Sequence, residues 1–185
     1  MKATGIVRRI DDLGRVVIPK EIRRTMRIRE GDPLEIYTDR EGEVIFKKYS
    51  PIGELAGFAS QYAETLHKTC ALSVVICDRD AVIACSGIPK KEYSDKALSE
   101  QLEQIMEKRS LYVLREGEES IPVLSDGGGC HVSCAMPIIS EGDIVGCVAS
   151  VTDKPATERQ DGAVSDVEAK LILTAAGFLG RQLED

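Results

Sequence analysis

Two kinds of apolar periodicity succeed one another along the chain. Near the start, Thr4 to Ile10 and Arg15 to Ile18 are short runs rich in β-branched residues. Between them Asp11-Asp12-Leu13-Gly14 closes on a glycine, so the pattern predicts a hairpin. Pro19 suits the first position of a helix, and Ile22 and Met26 form an i, i+4 apolar pair that leaves Arg23, Arg24 and Arg27 on the other faces. Beyond the turn at Glu30-Gly31-Asp32-Pro33, the runs Leu34 to Thr38 and Glu43 to Lys47 flank Asp39-Arg40-Glu41-Gly42 and predict a second hairpin.

From Ser50-Pro51 onward the period lengthens. Ile52, Leu55, Ala59, Tyr62 and Leu66 recur at spacings of 3 and 4, which predicts a helix over about 51–68 with one apolar stripe. Near the far end Ser165-Asp166-Val167-Glu168 has the form of a capping box, and Val167, Leu171, Thr174 and Phe178 repeat the spacing on a helix over about 165–183. Each stripe either covers its own sheet or joins subunits in a helical bundle. Between the helices lie strand-like runs at Leu72 to Cys77, Ala81 to Cys85, Ile121 to Leu124, His131 to Ile139 and Ile144 to Val151, with a helix expected from about Ser99 to Arg109. In His131 to Ile139 the even positions are apolar, which predicts one buried face, and Ile144 to Val151 is apolar enough to be central. Glu141-Gly142-Asp143 reads as the hairpin turn between these two strands. This order describes an α+β fold, an antiparallel sheet flanked by helices, behind a small β-rich N-terminal domain.

At 185 residues, two small domains are expected, 1–52 and 53–185. A content of 43% hydrophobic and 30% charged residues excludes a disordered or fibrous chain. No apolar run reaches the ~18 residues that span a bilayer, and the N-terminus lacks the apolar core of a signal peptide. A cytoplasmic protein with no membrane partner, its six cysteines reduced, is therefore expected.

Charge changes the picture. Residues 1–50 hold 12 Lys and Arg against 9 Asp and Glu, and residues 51–185 hold 12 against 22, so a net charge of −7 divides into +3 and −10. Within the first 29 residues nine cations, seven of them arginine, face three acids. Arginine's planar fork of donors suits phosphate oxygens and guanine edges. A domain of four short strands and a turn or two of helix buries too little apolar surface to stand alone, and pairing two copies is the simplest physical remedy.

The stretches Lys2-Ala3-Thr4-Gly5-Ile6-Val7-Arg8, Leu13-Gly14-Arg15-Val16-Val17-Ile18-Pro19 and Glu21-Ile22-Arg23-Arg24-Thr25 closely resemble the AbrB-type swapped-hairpin DNA-binding domain of bacterial transition-state regulators. The resemblance implies a dimer made by hairpin exchange, with Arg8, Arg15, Arg23 and Arg24 on its DNA-contacting surface and A·T-rich double-stranded DNA as its target. Lys2, Arg9 and Lys20 are weaker candidates for phosphate contacts. Related antitoxins use the same domain to hold a toxin, so the alternative is a non-enzymatic protein-binding module gripping an acidic partner. The second half is similar in its order of elements to a GAF domain, with Val74-Val75-Ile76-Cys77-Asp78 and Pro137-Ile138-Ile139 as the local matches. That implies a sensor of a small molecule, with the ligand between the sheet and the stretch from Ser86 to Leu114, or a purely oligomerising module. An AbrB-type domain followed by a GAF domain resembles regulators of sporulation-stage genes that activate and repress transcription and form tetramers through helices such as 51–68 and 165–183.

Other chemistry finds little support. Cys130-His131-x-x-Cys134 invites a metal, but on an extended strand the two cysteines would share a face about 13 Å apart with His131 on the other side. Gly127-Gly128-Gly129 has no following Lys-Ser/Thr and is no phosphate loop, and neither His67 nor His131 sits near a nucleophile elbow. No catalytic residue, metal or cofactor is expected.

Overall fold

The computed structural model describes residues 4–115, 117–153 and 164–184. The chain divides into two compact units, Met1–Tyr49 and Ser50–Asp185.

In the first unit a short helix α1 (Lys20–Thr25) precedes an antiparallel pair, β1 (Leu34–Thr38) and β2 (Val44–Lys48), in register from Leu34 opposite Lys48 to Thr38 opposite Val44. Their turn is held by Asp39, whose Oδ1 accepts the amides of Glu41 and Glu43, and Gly42 takes a φ of 85°. The expected first hairpin is present only as its turn. Residues 4–10 and 15–18 form no regular element and join no ladder among the described residues. The reason is visible in their exposure. Val7 is 86% exposed, Leu13 70% and Val17 70%, and Pro19 alone is buried among the described residues of this unit. Strands need a partner to satisfy their backbone and an apolar layer to cover their side chains, and a single chain of this length supplies neither. Pro19 also sits one residue earlier than expected, as the N-cap of α1.

The second unit begins with α2 (Pro51–Glu54) and α3 (Ala56–Cys70). The single helix expected over 51–68 is thus broken at Leu55. Ser50 caps the first segment by accepting the amide of Gly53 at 3.1 Å, while the second starts without a side-chain cap. There follow β3 (Val74–Cys77), β4 (Val82–Ser86), α4 (Lys90–Tyr93), α5 (Glu100–Glu107), β5 (Tyr112–Val113), β6 (His131–Ser140), β7 (Asp143–Thr152) and α6 (Asp166–Gln182). The five strands form one antiparallel sheet in the order β4-β3-β7-β6-β5, with β7 at its centre. Glu141 and Gly142, both at positive φ, make the tight β6–β7 turn. The run Ile121 to Leu124 forms only isolated bridges, from Pro122 to His131 and from Leu124 to Leu98, and the short β5 takes the sheet edge beside β6 instead.

Each face of the sheet carries its own apolar layer. Ile52, Ala59, Ala63 and Leu66 of α2 and α3, with Ile172, Ala175, Ala176 and Leu179 of α6, cover Val74, Ile76 and Val148. On the other face Leu102, Ile105 and Met106 of α5, with Tyr93 and Leu98, cover Val75, Cys77, Cys147 and Ala149. The strand over 131–139 therefore does not have one buried face. A bulge between Val132 and Cys134 resets its parity, so Cys130 and Val132 face the α5 layer while Cys134 and Ile138 face the α6 layer.

The two stripes have different fates. Ile52, Ala59 and Leu66 cover the sheet. The stripe Val167, Leu171, Thr174 and Phe178 is not the buried face of α6, because small residues on another side permit a closer approach: a Cβ built on Gly180 would lie 2.3 Å from the carbonyl oxygen of Ile139. Val167 is left 66% exposed and Phe178 41%. Phe178 stacks on Tyr62 with ring centroids 5.6 Å apart and meets Phe58 at 5.8 Å. The capping box is half realised. Ser165 accepts the amide of Glu168 at 3.1 Å, but the Glu168 carboxylate takes the hydroxyl of buried Ser150 at 2.6 Å and so ties α6 to β7.

Candidate nucleic-acid interface

The basic residues of the first unit sit on the turn, its flanks and α1. Arg8 and Arg9 lie on the irregular run before the turn, Arg15 directly after it, and Lys20, Arg23 and Arg24 on α1, all exposed. Lys2 lies outside the described residues. The α1 backbone ends in a local closure: the amide of Ile28 reaches the carbonyl of Arg23 at 2.8 Å and Arg27 takes a φ of 52°, which turns the chain without a glycine. The Arg27 carbonyl accepts the Lys48 ammonium at 2.8 Å, linking the turn after α1 to β2. Ile22 is half-buried and Met26 55% exposed, so the apolar pair anchors the helix on one side while Arg23 and Arg24 stand on the other.

One residue that the charge count treated only as a subtraction has a defined place. Asp11 accepts the amides of Leu13 at 3.0 Å and Arg15 at 2.8 Å on Oδ1, and the Arg15 Nε at 2.8 Å on Oδ2. These bonds, those from Arg15 first, hold its carboxyl below the usual carboxylate value. The signal was present in the sequence, since Asp at the start of a glycine-closed loop is the residue that bonds its own backbone two positions on.

In the second unit a cleft of about 340 Å³ opens between α4 and the glycine-rich loop, lined by Lys91, Tyr93, Lys96, Leu124, Asp126 and Gly129. The buried Tyr93 hydroxyl accepts the amide of Cys130 at 2.9 Å and so fixes the loop to α4. Of the cysteines only Cys70 is exposed. Burial pushes the Cys134 thiol up to about 12 and raises that of Cys85, and contact with Cys147 together with burial raises that of Cys77. Cys130 and Cys134, on opposite faces of the sheet, are not brought together, and the described residues contain no group of three metal-ligating side chains. Among those residues no helix is long and apolar enough to cross a membrane.

Residues 54–184 match the family model described as stage V sporulation protein T C-terminal, transcription factor. Over 185 residues the chain is 54% identical to stage V sporulation protein T of Bacillus subtilis, covering all of this chain and 99% of that one. The chain belongs to the stage V sporulation protein T family of transcription factors. Within this sporulation family its N-terminal part has a second set of relatives. Over 51 residues it is 65% identical to the transition state regulatory protein AbrB of the same organism, covering 28% of this chain and 52% of AbrB. The N-terminal DNA recognition domain of AbrB, known in solution, is matched at 65% identity over 26% of this chain and 91% of that one, with a TM-score of 0.23. Residues 7–53 also match the model described as antidote-toxin recognition MazE, bacterial antitoxin. The second unit shares its fold with the GAF domain of a phosphoenolpyruvate-protein phosphotransferase from Coxiella burnetii, at 15% identity, a TM-score of 0.50, and coverage of 70% of this chain and 82% of that one. The expected α+β architecture, an AbrB-type domain followed by a GAF-like one, is thus met on both sides.

Proposed function

We propose that this transcription factor binds A·T-rich double-stranded DNA through Arg8, Arg15, Arg23 and Arg24, with Lys2, Arg9 and Lys20 contacting phosphates, and so activates or represses sporulation-stage genes in the cytoplasm without enzymatic activity. The observation that carries this reading is the exposed arginine set on a unit of matching sequence: 65% identity over 51 residues to a protein whose N-terminal domain is a DNA recognition domain. The surplus of six positive charges in the first 29 residues supplies the long-range attraction that an otherwise acidic chain lacks. The one helix among the described residues of the first unit, α1, has six residues and is too short to read the major groove, so sequence preference would come from groove shape and deformability, which favours A·T-rich sites.

Two copies exchanging their first hairpins would cover Val7, Ile10, Leu13, Val16 and Val17, all exposed in the single chain, and would set two arginine clusters on one surface. Two such dimers would join through the outward stripe of α6 and the aromatic trio Phe58, Tyr62 and Phe178, giving a tetramer. The second unit would respond to a small molecule at the cleft beside α4, within the region where GAF-like folds bind ligands.

The match of residues 7–53 to an antitoxin model favours a second reading, a protein-binding module that holds an acidic partner. Fluorescence-anisotropy titration of the whole chain with an A·T-rich duplex across a salt series separates the two. The DNA reading expects binding whose logarithmic salt slope falls by about 0.9 for each phosphate contact removed in Arg8→Ala, Arg15→Ala or Arg23→Ala/Arg24→Ala. Absence of wild-type binding at low salt on several duplexes refutes it and leaves the protein-partner reading.

A further inference from the structure

We propose that Asp11 is a positioning residue for DNA recognition: it pre-orients Arg15, so that an acid inside the basic face strengthens specific binding. This inference rests on the DNA-binding reading above.

An aspartate amid nine cations is, on charge alone, a cost to any phosphate complex. Its geometry assigns it another task. Both carboxylate oxygens are engaged within the loop: Oδ1 takes the amides of Leu13 and Arg15, and Oδ2 takes Nε of Arg15. The backbone closes the same loop, with the Asp11 amide donating to the Arg15 carbonyl at 3.0 Å and the Gly14 amide to the Asp11 carbonyl at 3.0 Å. Arg15 thus leaves the loop with its main chain and the root of its guanidinium fixed by one side chain.

A guanidinium has five N–H donors, and the bond to Asp11 uses the one on Nε. The edge formed by the two terminal nitrogens has no acceptor among the described residues, and the side chain is 70% exposed. That edge is the one that pairs bidentately with guanine O6 and N7 or with phosphate oxygens. Of Arg8, Arg15, Arg23 and Arg24, only Arg15 has a side-chain partner among the described residues. Holding a rotamer-rich side chain before binding lowers the ordering cost that the complex must meet. A chain that carried Asp11 only as a stray charge would gain affinity on losing it, so the two accounts predict opposite signs.

Asp11→Asn separates them. Asparagine keeps an Oδ1 for both loop amides, but its other atom is an NH₂ donor that cannot hold Nε. Anisotropy titrations use the full-length chain with an A·T-rich and a G·C-rich duplex at two salt concentrations, for wild type, Asp11→Asn, Arg15→Ala and the double variant. Circular dichroism and light scattering check fold and assembly. The expected result is about three- to tenfold weaker duplex binding by Asp11→Asn despite the loss of a repelling negative charge, and no further loss when Arg15→Ala is already present. Equal or tighter binding by Asp11→Asn overturns the proposal, and so does an equal loss in the Arg15→Ala background, which would make Asp11 a scaffold of the loop alone. Failure of the wild type to bind either duplex instead sinks the DNA reading itself. Should Asp11→Asn misfold, the wild type still tests the idea by NMR. A resolved, slowly exchanging Arg15 Nε–H in the free protein supports the proposal, and a signal averaged with the other arginines overturns it.

Discussion

Gly180→Ala is the sharpest test of how the second unit is packed, because two well-measured effects oppose each other there. Replacing a glycine inside a helix by alanine ordinarily stabilises it by about 1 kcal/mol, an upper bound for Gly180 in the last turn of α6. At Gly180 the new Cβ would stand 2.3 Å from the carbonyl oxygen of Ile139, where ordinary contact begins at 3.4 Å, so α6 must retreat from β6 by about 1 Å. A gap of 0.5–1 Å forfeits roughly a quarter to a half of the dispersion attraction of the atoms it separates. The atoms concerned belong to Ile172, Ala175, Ala176 and Leu179, the buried stripe of α6. Overpacking of this kind costs about 1–3 kcal/mol, which matches or outweighs the propensity gain. The internal control is Gly177, three residues earlier on the same helix, whose added Cβ would meet no atom within 4 Å. Urea unfolding followed by circular dichroism should place Gly180→Ala up to about 1 M below wild type, at a slope of ~2 kcal/mol/M, with Gly177→Ala at or above wild type. Equal midpoints for the two variants would refute the close approach of α6 to Ile139.

Other outcomes follow from single contacts. Phe178→Asp places a charge in the aromatic trio and should halve the mass of the assembly by light scattering; an unchanged mass rules out α6 as the joining surface. Under native conditions at pH 8 iodoacetamide should modify Cys70 first, while Cys134, with its pKa near 12, stays intact until the protein unfolds; peptide mass mapping reads the order. Tyr93→Phe removes one of the two acceptors of the buried Cys130 amide, the Gly128 carbonyl at 2.8 Å being the other, and should destabilise the second unit by about 0.5–1.5 kcal/mol in the same urea assay. The Asp11 carboxyl lies below its ordinary value in the fold, so its hold on Arg15 is complete above the ordinary carboxylate range and is lost as pH falls through the lowered value. An NMR titration of the Leu13 and Arg15 amides should show that transition at a pH below a free aspartate's.

In the first unit the second hairpin was legible in residue order, while the first hairpin was met only as its turn. Asp39-Arg40-Glu41-Gly42 announced the β1–β2 turn, and β2 fell one residue from its expected place. The arginines stood out as candidates because charge and spacing are properties of the sequence itself. Asp11 was misjudged for the converse reason, since a count of charges records its sign but not the two amides and the Nε it accepts.

In the second unit the sequence by itself determined the kinds of elements and most of their order, because apolar period and cap residues are local. It also fixed the central strand, since Ile144 to Val151 has few polar positions to turn outward. Which face each side chain serves was decided only by the tertiary structure. The bulge after Val132 shifts every later residue of β6 to the opposite layer, and a period of two read along the sequence cannot register one inserted residue. The buried side of α6 was likewise settled by contact. Ala175, Ala176 and Gly180 let the helix backbone approach the sheet more closely than Phe178 and Val167 would, so the larger apolar residues were left facing outward. Hydrophobicity names the residues that gain from burial, but when a helix has two apolar stripes the choice falls to shape, and shape exists only once the chain has folded.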